Sequence, residues 1–471
     1  MQSVVGSGST ISTLLPDSVG IRLPSSVPKT EISPKQPPRL RQVSRVLLAG
    51  VFSLLLFAPL AFGSTDPWAI SVLEAATGLL LALWVLRQWM SPELSINTNP
   101  LFAPMLCFAV LVAVQLVFNR TVYRYQTFAD ALLYFSYGTL AFLAIQTIKR
   151  GSHIRKLAVV FTMYGTVVAL FALLQSITSN GKVYWIWTPE FGGWIYGPYV
   201  NHNHYAGLME LLIPIPLVAS LTSFLQGRDK IIAASAAALM AGTIFLSGSR
   251  GGMLALVVEI GVMIGVLTLQ KRGAKSGLIL GAFLVILFGL IAWIGGGEIA
   301  SRLGTIGSEA RHELDGGMRL GIDRDGLRMF AHRPFLGWGL GTFPVIYPEF
   351  RSFSTTFFVN EAHNDYVQLI AEMGIAGFGV MIWFLVEFYR GATRKWKNWE
   401  VSANGALALA ALLGCTGILV HSFLDFNLQI PANAALFYTL ATLGAAKPIP
   451  ESVRRRRSNS LLIEEVWTAP A

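Results

Sequence analysis

Long apolar segments alternate with short polar connections over most of the chain, from about residue 46 to about residue 446. Each segment has about 17–25 residues, the length that an α-helix needs to cross the hydrocarbon core of a bilayer. The pattern predicts an all-α, polytopic membrane protein with about 12 transmembrane helices. We place them near residues 46–62, 68–86, 101–118, 128–148, 157–178, 204–225, 231–247, 251–269, 277–295, 366–388, 403–422 and 430–446.

The composition excludes the main alternatives to a membrane protein. Only 13% of the residues are charged, whereas about 25% are charged in an ordinary soluble domain. If Gly is counted and Tyr left out, about 60% of the chain is apolar, against about 45–50% in soluble domains. The two cysteines, Cys107 and Cys415, lie inside apolar segments, so a disulfide-rich scaffold is also excluded.

Basic residues are distributed unevenly between the two sets of connections. Of the 36 Lys and Arg residues, 25 lie in the set that includes both chain ends, and 11 lie in the other set. The positive-inside rule therefore predicts that both termini are cytoplasmic. Membrane topology then explains the net charge of +10, and we expect no nucleic-acid partner. The run Arg454–Arg457 is either a solvated stop signal or a contact with anionic lipid headgroups.

The same pattern divides the chain into four regions. Residues 1–45 are polar and rich in Ser and Pro, so we expect a disordered cytoplasmic arm. Residues 46–190 form the N-terminal transmembrane helices, and residues 191–446 form a second membrane domain that includes an external loop at 296–365 between the ninth and tenth spans. Residues 447–471 form a basic cytoplasmic tail.

Two external connections are longer than the others, and long loops commonly carry function. One is the Trp-, Tyr- and Gly-rich segment 179–203, and the other is 296–365. Ten of the 11 external basic residues are Arg, and the remaining one is Lys182. Guanidinium groups bind phosphate oxygens through two hydrogen bonds, so this bias favours a phosphate or diphosphate site. Ion pairing with the acidic residues of 296–365 is the other explanation.

Two external patterns contain an Arg that is suited to such a site. In the first, residues 247–252 read SGSRGG, and Arg250 lies at the end of an apolar segment, where an Arg either snorkels to the interface or binds an anion. In the second, Arg319 begins a stretch of helical apolar spacing that fits an amphipathic helix on the membrane surface. The Pro- and Gly-rich segment 334–343 then ends this helix with a tight turn.

A third pattern contains a candidate proton acceptor. Residues 360–366 read NEAHNDY and place His363 next to Glu361, Asn364 and Asp365, where the tenth span begins. These neighbours can orient the imidazole, and a histidine at the membrane surface can meet the headgroup of a lipid-linked substrate. A structural or spectator histidine is the alternative interpretation.

Together these patterns resemble the O-antigen ligase/polymerase family of bacterial polysaccharide assembly. The resemblance covers roughly residues 195–445, and it rests on several short motifs that occur in the same order as in the family. These motifs are Asn201-His-Asn203-His-Tyr-Ala206, Ser249-Arg250-Gly-Gly, Arg319 with Pro334-x-x-Gly337-x-Gly339-x-Gly341-x-Phe343, and Ala362-His363-Asn364-Asp-Tyr366 followed by Glu372-x-Gly374-Ile375.

The resemblance implies a metal-independent, inverting glycosyltransferase without a cofactor. Such an enzyme takes a glycan from undecaprenyl diphosphate at the external face of the bacterial inner (plasma) membrane, in lipopolysaccharide or exopolysaccharide synthesis. By motif, Arg250 and Arg319 match the family's two important arginines, and His363 matches its important histidine. One position departs from the family, since Asp323 stands where Trp is common.

The chemistry of this reaction agrees with the residues. An acceptor hydroxyl attacks the anomeric carbon and expels undecaprenyl diphosphate, on which negative charge accumulates. We hypothesise that Arg250 and Arg319 bind the diphosphate and that His363 takes the proton of the hydroxyl, although these roles could be partly exchanged. The acceptor is the lipid A core, a growing glycan or another hydroxyl compound, and membrane lipids surround the protein.

Further residues are candidates for binding substrate, each with a plainer explanation. The polar and aromatic residues of 196–204 either stack on sugars or form an interfacial aromatic belt. His421, with the nearby Asp425 and Asn427, either lines the site or is structural, and Arg328 is either structural or holds the acceptor. The complete set of candidates is Asn201, Asn203, Asn364, Asp365, Tyr366, Arg328 and His421.

Two alternatives for the activity remain open. A polymerase of the same family adds repeat units to a lipid-linked chain, and it uses the same donor and leaving group as a ligase. A twelve-span transporter belongs to a different class, and acidic residues in or near the spans leave this alternative open. The absence of visible similarity between the two halves of the chain and the long off-centre external loop argue against a transporter. The acidic residues are Glu74, Glu210, Glu259 and Glu387.

Overall fold

The structure is a computed structural model that describes residues 37–189, 194–270, 316–354 and 358–449, together with scattered positions between 277 and 289. Within these residues the chain forms helices and two isolated β-bridges, and no strand. The helices are α1 Pro38–Leu60, α2 Pro67–Trp89, α3 Phe102–Val117, α4 Arg124–Thr147, α5 Gly151–Thr178, α6 His202–Leu212, α7 Pro214–Leu221, α8 Arg228–Ser247, α9 Arg250–Leu269, α10 Gly316–His332, α11 Phe343–Phe350, α12 Asp365–Thr393, α13 Ala403–His421 and α14 Pro431–Ala445.

The prediction of an all-α membrane protein is confirmed. Nine segments of the described residues are helices long and apolar enough to cross a membrane. α6 and α7 form one of these segments, His202–Leu221, although a turn at Ile213 separates the two helices and Pro214 begins α7. Two further predicted spans, α3 and α14, form helices of 16 and 15 residues.

Several sequence predictions fall wholly or partly outside the described residues. The ninth predicted span, 277–295, is described only at scattered positions, and the external loop is described from residue 316 onward. The basic tail is described only as far as residue 449. At the N-terminal side, α1 begins at Pro38, eight residues before residue 46, where the first span was predicted to begin.

The helices differ widely in how much of their surface is buried in the bundle. In α13, 83% of the most apolar window is buried, and in His202–Leu221 the value is 94%. In α2 it is only 22%, as expected for a helix on the periphery that faces lipid. α13 contains many Ala and Gly residues, and small residues let transmembrane helices approach closely.

The segment that joins Arg319 to the tenth predicted span folds as sequence patterning predicts. Residues 316–332 form α10, and the Pro- and Gly-rich segment 334–342 follows it as a tight loop before α11. This loop packs against a break in α12, where Gly374 has a φ of +63°. The backbone N–H of Ile375 donates to the carbonyl of Pro334 at 2.8 Å, and the N–H of Gly339 donates to that of Glu372 at 2.9 Å.

The Glu372 carboxylate also holds this loop in place from inside the bundle. It accepts hydrogen bonds from the backbone N–H groups of Gly341 at 2.9 Å and Phe343 at 3.0 Å. A Cβ atom on Gly374 would lie 2.4 Å from the carbonyl oxygen of Phe335, so only glycine fits there. The motifs 334–343 and 372–375 are therefore two sides of one contact, which fixes the position of α10.

Candidate active site

One end of the bundle, called here the site end, is where α6, α9 and α12 begin and α13 ends. The short segment between α13 and α14 lies at this end and is held from several sides. The N–H of Asp365, the first residue of α12, donates to the carbonyl of Ser422 at 2.9 Å. The Asp365 carboxylate accepts from the N–H of Leu428 at 3.1 Å and from the side chain of Gln429 at 3.2 Å. The segment 422–430 is thereby fixed.

Asp425 is the centre of the candidate site, and its side chain is almost fully buried. The side-chain amide of Asn203 donates to its Oδ2 at 2.6 Å, and the N–H of Phe426 donates to its Oδ1 at 2.9 Å. Nδ1 of His363 lies 3.3 Å from the same Oδ1, an ion-pair distance, although the two atoms do not have hydrogen-bond geometry. Asp425 thus joins α6, the segment before α12 and the segment after α13.

Asp425 is held as an anion at this buried position. Burial alone would raise the pKa of the carboxyl. The facing imidazole of His363, the imidazole of His204 and the guanidinium of Arg319 outweigh burial and hold the pKa well below its usual value. A fixed negative charge facing an imidazole orients the ring and stabilises its protonated form during a reaction.

His363 occupies a strained backbone position next to Asp425. Its φ is +54°, in the left-handed region that residues other than glycine rarely adopt, and such strain is common at functional sites. The ring packs edge-on against Phe426 with the centroids 4.9 Å apart, and His204 packs against the same ring at 4.8 Å. The His363 side chain is 17% exposed. Because Nδ1 faces Asp425, Nε2 is the nitrogen left to meet a substrate.

Arg319 reaches the same short segment from α10. Its Nη1 donates a hydrogen bond to the carbonyl oxygen of Leu424 at 2.7 Å. Leu424 directly precedes Asp425, so Arg319 and His363 contact adjacent residues of one segment. The structure therefore brings together two of the three residues that the sequence singled out as catalytic candidates.

Arg250, the third candidate, begins α9 at the site end and is exposed. The turn before it is closed by Ser249, whose hydroxyl accepts from the N–H of Gly252 at 3.1 Å. This turn adjoins the site through the ring of His202, whose Nδ1 lies 2.9 Å from the carbonyl oxygen of Ser247. His202 directly precedes the Asn203 that donates to the central carboxylate.

His421 lies behind this turn in a buried pair. Its Nδ1 is 2.7 Å from Oε1 of Glu210, and the side chains of both residues are at most 1% exposed. A Cβ atom on Gly251 would lie 2.4 Å from Nε2 of His421, so the glycine lets the imidazole pack directly under the turn. His421 therefore supports the backbone next to Arg250 from inside the bundle.

Four of the other candidates make structural contacts. Asn201 caps α6, since its side chain accepts from the N–H of Asn203 at 2.8 Å. Asn364 caps α12 by accepting from the next helical N–H groups at 3.1 and 3.3 Å. The Tyr366 hydroxyl donates to a carbonyl of α13 at 2.7 Å. Arg328 pairs with Asp325 at 3.0 Å and is half-exposed, on the part of α10 held by that buried acid.

Asp425 is the functional candidate that sequence reasoning undervalued. The sequence showed it only as a polar neighbour of His421 in the segment HSFLDFN. Its contacts come from residues far away in the chain, Asn203 and His363, and no local pattern indicates them. The sequence feature that points to Asp425 is the short segment 421–427, which contains several polar residues and lies between two apolar helices.

An apolar cavity of about 570 Å³ begins beside the site and extends along α12. Its lining comes mainly from α3, α4 and α12, and it runs from Asp365 to Leu385 along α12. At a rise of 1.5 Å per residue, this stretch of helix is about 30 Å long, comparable to the thickness of the hydrocarbon core. The polar residues Asp365 and Gln429 line the cavity where it meets the site end.

The fold and the site define a polytopic α-helical membrane protein with a polar, arginine- and histidine-containing site at one end of the bundle. The family model described as O-Antigen ligase matches residues 235–382. This match confirms the resemblance to the O-antigen ligase family, a family of membrane enzymes of glycan transfer, over that segment. Arg250, Arg319 and His363 lie inside the matched segment, and Asp425 lies beyond it. No curated protein matches the chain.

Proposed function

We propose that the protein is a membrane glycosyltransferase. It moves a glycan from undecaprenyl diphosphate to an acceptor hydroxyl at the external face of the bacterial inner membrane. The observation that carries the proposal is the meeting of Arg319, His363 and Asp425 at one end of a membrane bundle. A cationic group, a candidate base and a carboxylate that orients the base are what transfer from a diphosphate leaving group requires.

His363 acts as the base in this proposal. Asp425 faces Nδ1, so Nε2 takes the proton as the acceptor oxygen attacks the anomeric carbon. The carboxylate stabilises the imidazolium that forms, as in other carboxylate–histidine pairs. A single attack from the face opposite the leaving group inverts the anomeric configuration, so the product has the opposite anomeric form from the donor.

Arg319 and Arg250 bind the diphosphate. Cleavage of the bond between the sugar and its carrier places additional negative charge on the leaving group, and guanidinium groups stabilise that charge with bidentate hydrogen bonds. These cations supply the role that a metal ion has in other transferases, so we propose a metal-independent reaction. Chelation with EDTA is expected to leave the rate unchanged.

The apolar cavity along α12 supports a lipid-linked donor. It is about 570 Å³, and it begins at Asp365, two residues after His363. A polyprenyl tail in this cavity keeps its diphosphate at the site end, close to the catalytic residues. The polar groups of the donor can then react at the site end while its lipid tail stays in the membrane.

The charge distribution supports an external location for the site. Basic residues cluster at the opposite end of the bundle, for example Arg228 and Lys230 at the start of α8 and Arg390 near the end of α12. Connections rich in Lys and Arg face the cytoplasm. We therefore propose that the site end is external and that both termini are cytoplasmic.

The test is transfer by the purified protein in liposomes. Undecaprenyl diphosphate carrying a glycan is incubated with candidate acceptors, and products are identified by mass spectrometry. Wild-type protein is expected to transfer the glycan, whereas His363→Ala and Arg319→Ala lose transfer. Glu349→Gln removes an exposed charge from α11 and serves as the matched control, with wild-type activity expected. Near-normal transfer by His363→Ala would contradict the assignment of the base.

The product distinguishes the alternative activities. A ligase delivers the glycan to a lipid A core or another hydroxyl acceptor, whereas a polymerase lengthens the chain on the lipid carrier. In a deletion strain, loss of a ligase leaves lipid-linked polymer and loss of a polymerase leaves single repeat units. Folded protein that transfers no glycan to any acceptor would favour the transporter class.

A further inference from the structure

Asp323 is an acidic residue beside the candidate diphosphate site that the proposed reaction does not use. It lies on α10, four residues after Arg319, so the two side chains share one face of the helix. Its carboxyl faces the side chain of Asn364, the residue after His363.

One oxygen of this carboxyl is left without a partner in the described part of the chain. Oδ1 is buried and has no hydrogen-bond partner among the residues that the structure describes. A buried acceptor without a partner is costly, and such atoms commonly mark a functional position. The facing groups are Arg319 on the same helix and the His363–Asn364 segment opposite it.

The charge of Asp323 changes close to neutral pH. Burial raises the pKa of the carboxyl to about 6, although the polar side chain of Asn364 and the charges of His363 and Arg319 act to lower it. His363 is the other titratable side chain that faces it. Asp325, two residues further along α10, pairs instead with Arg328.

We propose that Asp323 takes up a proton when a diphosphate group binds at Arg319, and that it releases the proton when the diphosphate leaves. The inference rests on the proposed function. An ionised carboxylate beside Arg319 repels the anionic ligand, whereas the protonated carboxyl offers an O–H donor to a phosphate oxygen. The proton comes from solvent on binding and returns to solvent on release, so no other reactant is needed.

The proposal predicts a pH dependence of anion binding. Because the bound anion favours the protonated carboxyl, binding is tighter at low pH and weaker as the pH rises above about 6. If the ligand raises the pKa of Asp323 by about one unit, the affinity changes about tenfold across the transition. Weaker binding at higher pH also favours departure of the undecaprenyl diphosphate product.

The experiment measures proton uptake directly. Full-length protein in nanodiscs is titrated with undecaprenyl diphosphate by calorimetry at pH 6.5, in two buffers with different ionisation enthalpies. The difference in apparent enthalpy gives the number of protons bound with the ligand. Any change in protonation of the diphosphate itself is the same for every variant, so each variant is compared with wild type.

Asp323→Asn is expected to bind fewer protons than wild type and to bind the ligand about tenfold more tightly at pH 8. Asp323→Trp, the residue common in the resembling family, should show the same loss of proton uptake. His363→Gln should retain uptake at Asp323, and Glu349→Gln should match wild type. Thermal unfolding checks that each variant is folded.

The outcomes separate this proposal from the proposed function. Equal proton uptake by wild type, Asp323→Asn and Asp323→Trp, with all three binding the ligand, would overturn the role of Asp323 alone. Failure of folded wild-type protein to bind undecaprenyl diphosphate would contradict the donor site itself, and the role of Asp323 with it.

Discussion

Replacement of Asp425 with Asn tests whether a buried carboxylate activates His363. The substitution keeps the size of the side chain and removes its negative charge. It also places an amide opposite the side chain of Asn203, which now donates to Oδ2 at 2.6 Å. We expect the catalytic rate to fall strongly, because the imidazolium that forms during transfer loses the charge that faces it.

The size of the effect follows from the geometry. Nδ1 of His363 lies 3.3 Å from Oδ1 of Asp425. Two unit charges at that separation interact by about 5 kcal/mol at an effective dielectric constant of about 20. Solvent reaches the partly exposed His363 and weakens the interaction, and about half of the energy corresponds to a rate loss of about 10². Loss of the correct tautomer extends the range to about 10⁴.

The assay is glycan transfer in liposomes under saturating donor and acceptor, with kcat measured for Asp425→Asn, wild type and the control Glu349→Gln. Thermal unfolding and size-exclusion chromatography establish that the variant is folded. The reasoning predicts a low kcat with little change in the KM for donor, since Asp425 acts on the base. A folded Asp425→Asn variant with kcat within about threefold of wild type would refute it.

Three further predictions concern the proposed diphosphate contact of Arg319, the break in α12 at Gly374, and the pH dependence of stability. Arg319→Lys keeps the charge but loses the planar guanidinium group that reaches the carbonyl of Leu424, so kcat/KM for donor should fall about tenfold or more. An unchanged kcat/KM would argue against a bidentate contact with the diphosphate. Gly374→Ala forces a side chain onto a backbone with φ of +63° and should lower the free energy of unfolding by about 1–3 kcal/mol. Gly379 has open space around it, so Gly379→Ala should not lower this free energy, and thermal unfolding of both variants tests the difference. Burial and the charge of neighbouring acids raise the pKa of Glu361 well above its usual value, so its contribution to stability is present at low pH and is lost as the pH rises through the folded pKa. Glu361→Gln should therefore raise Tm above that of wild type, and the increase should be larger at pH 8 than at pH 5. An equal increase at both pH values would contradict this direction of the pH dependence.

The helices could be predicted from the sequence because lipid imposes a simple rule. Every backbone polar group in the hydrocarbon core must be satisfied within its own segment, so long apolar segments have to be helices. α10 was also predictable, since its apolar residues recur at helical spacing and a Pro- and Gly-rich segment follows it. Boundaries were less certain, and α1 begins at Pro38 rather than near residue 46.

The arrangement of the site could be predicted only in part. Arg319 and His363 were recognised from short motifs, and the structure brings both to the segment that contains Asp425. Asn203 on α6, Arg319 on α10 and His363 before α12 are far apart in the sequence, and only tertiary packing brings them to the segment around Asp425. The sequence likewise gave no indication that His421 pairs with a buried glutamate.

In the proposed reaction His363, oriented by Asp425, removes the proton from an acceptor hydroxyl while a glycan leaves undecaprenyl diphosphate. Single-turnover transfer of a glycan from undecaprenyl diphosphate can be measured in liposomes that contain purified wild-type protein or His363→Ala. We expect an inverted glycan product with wild type and none with His363→Ala, although the variant still binds the donor. Transfer at the wild-type rate by folded His363→Ala would contradict it.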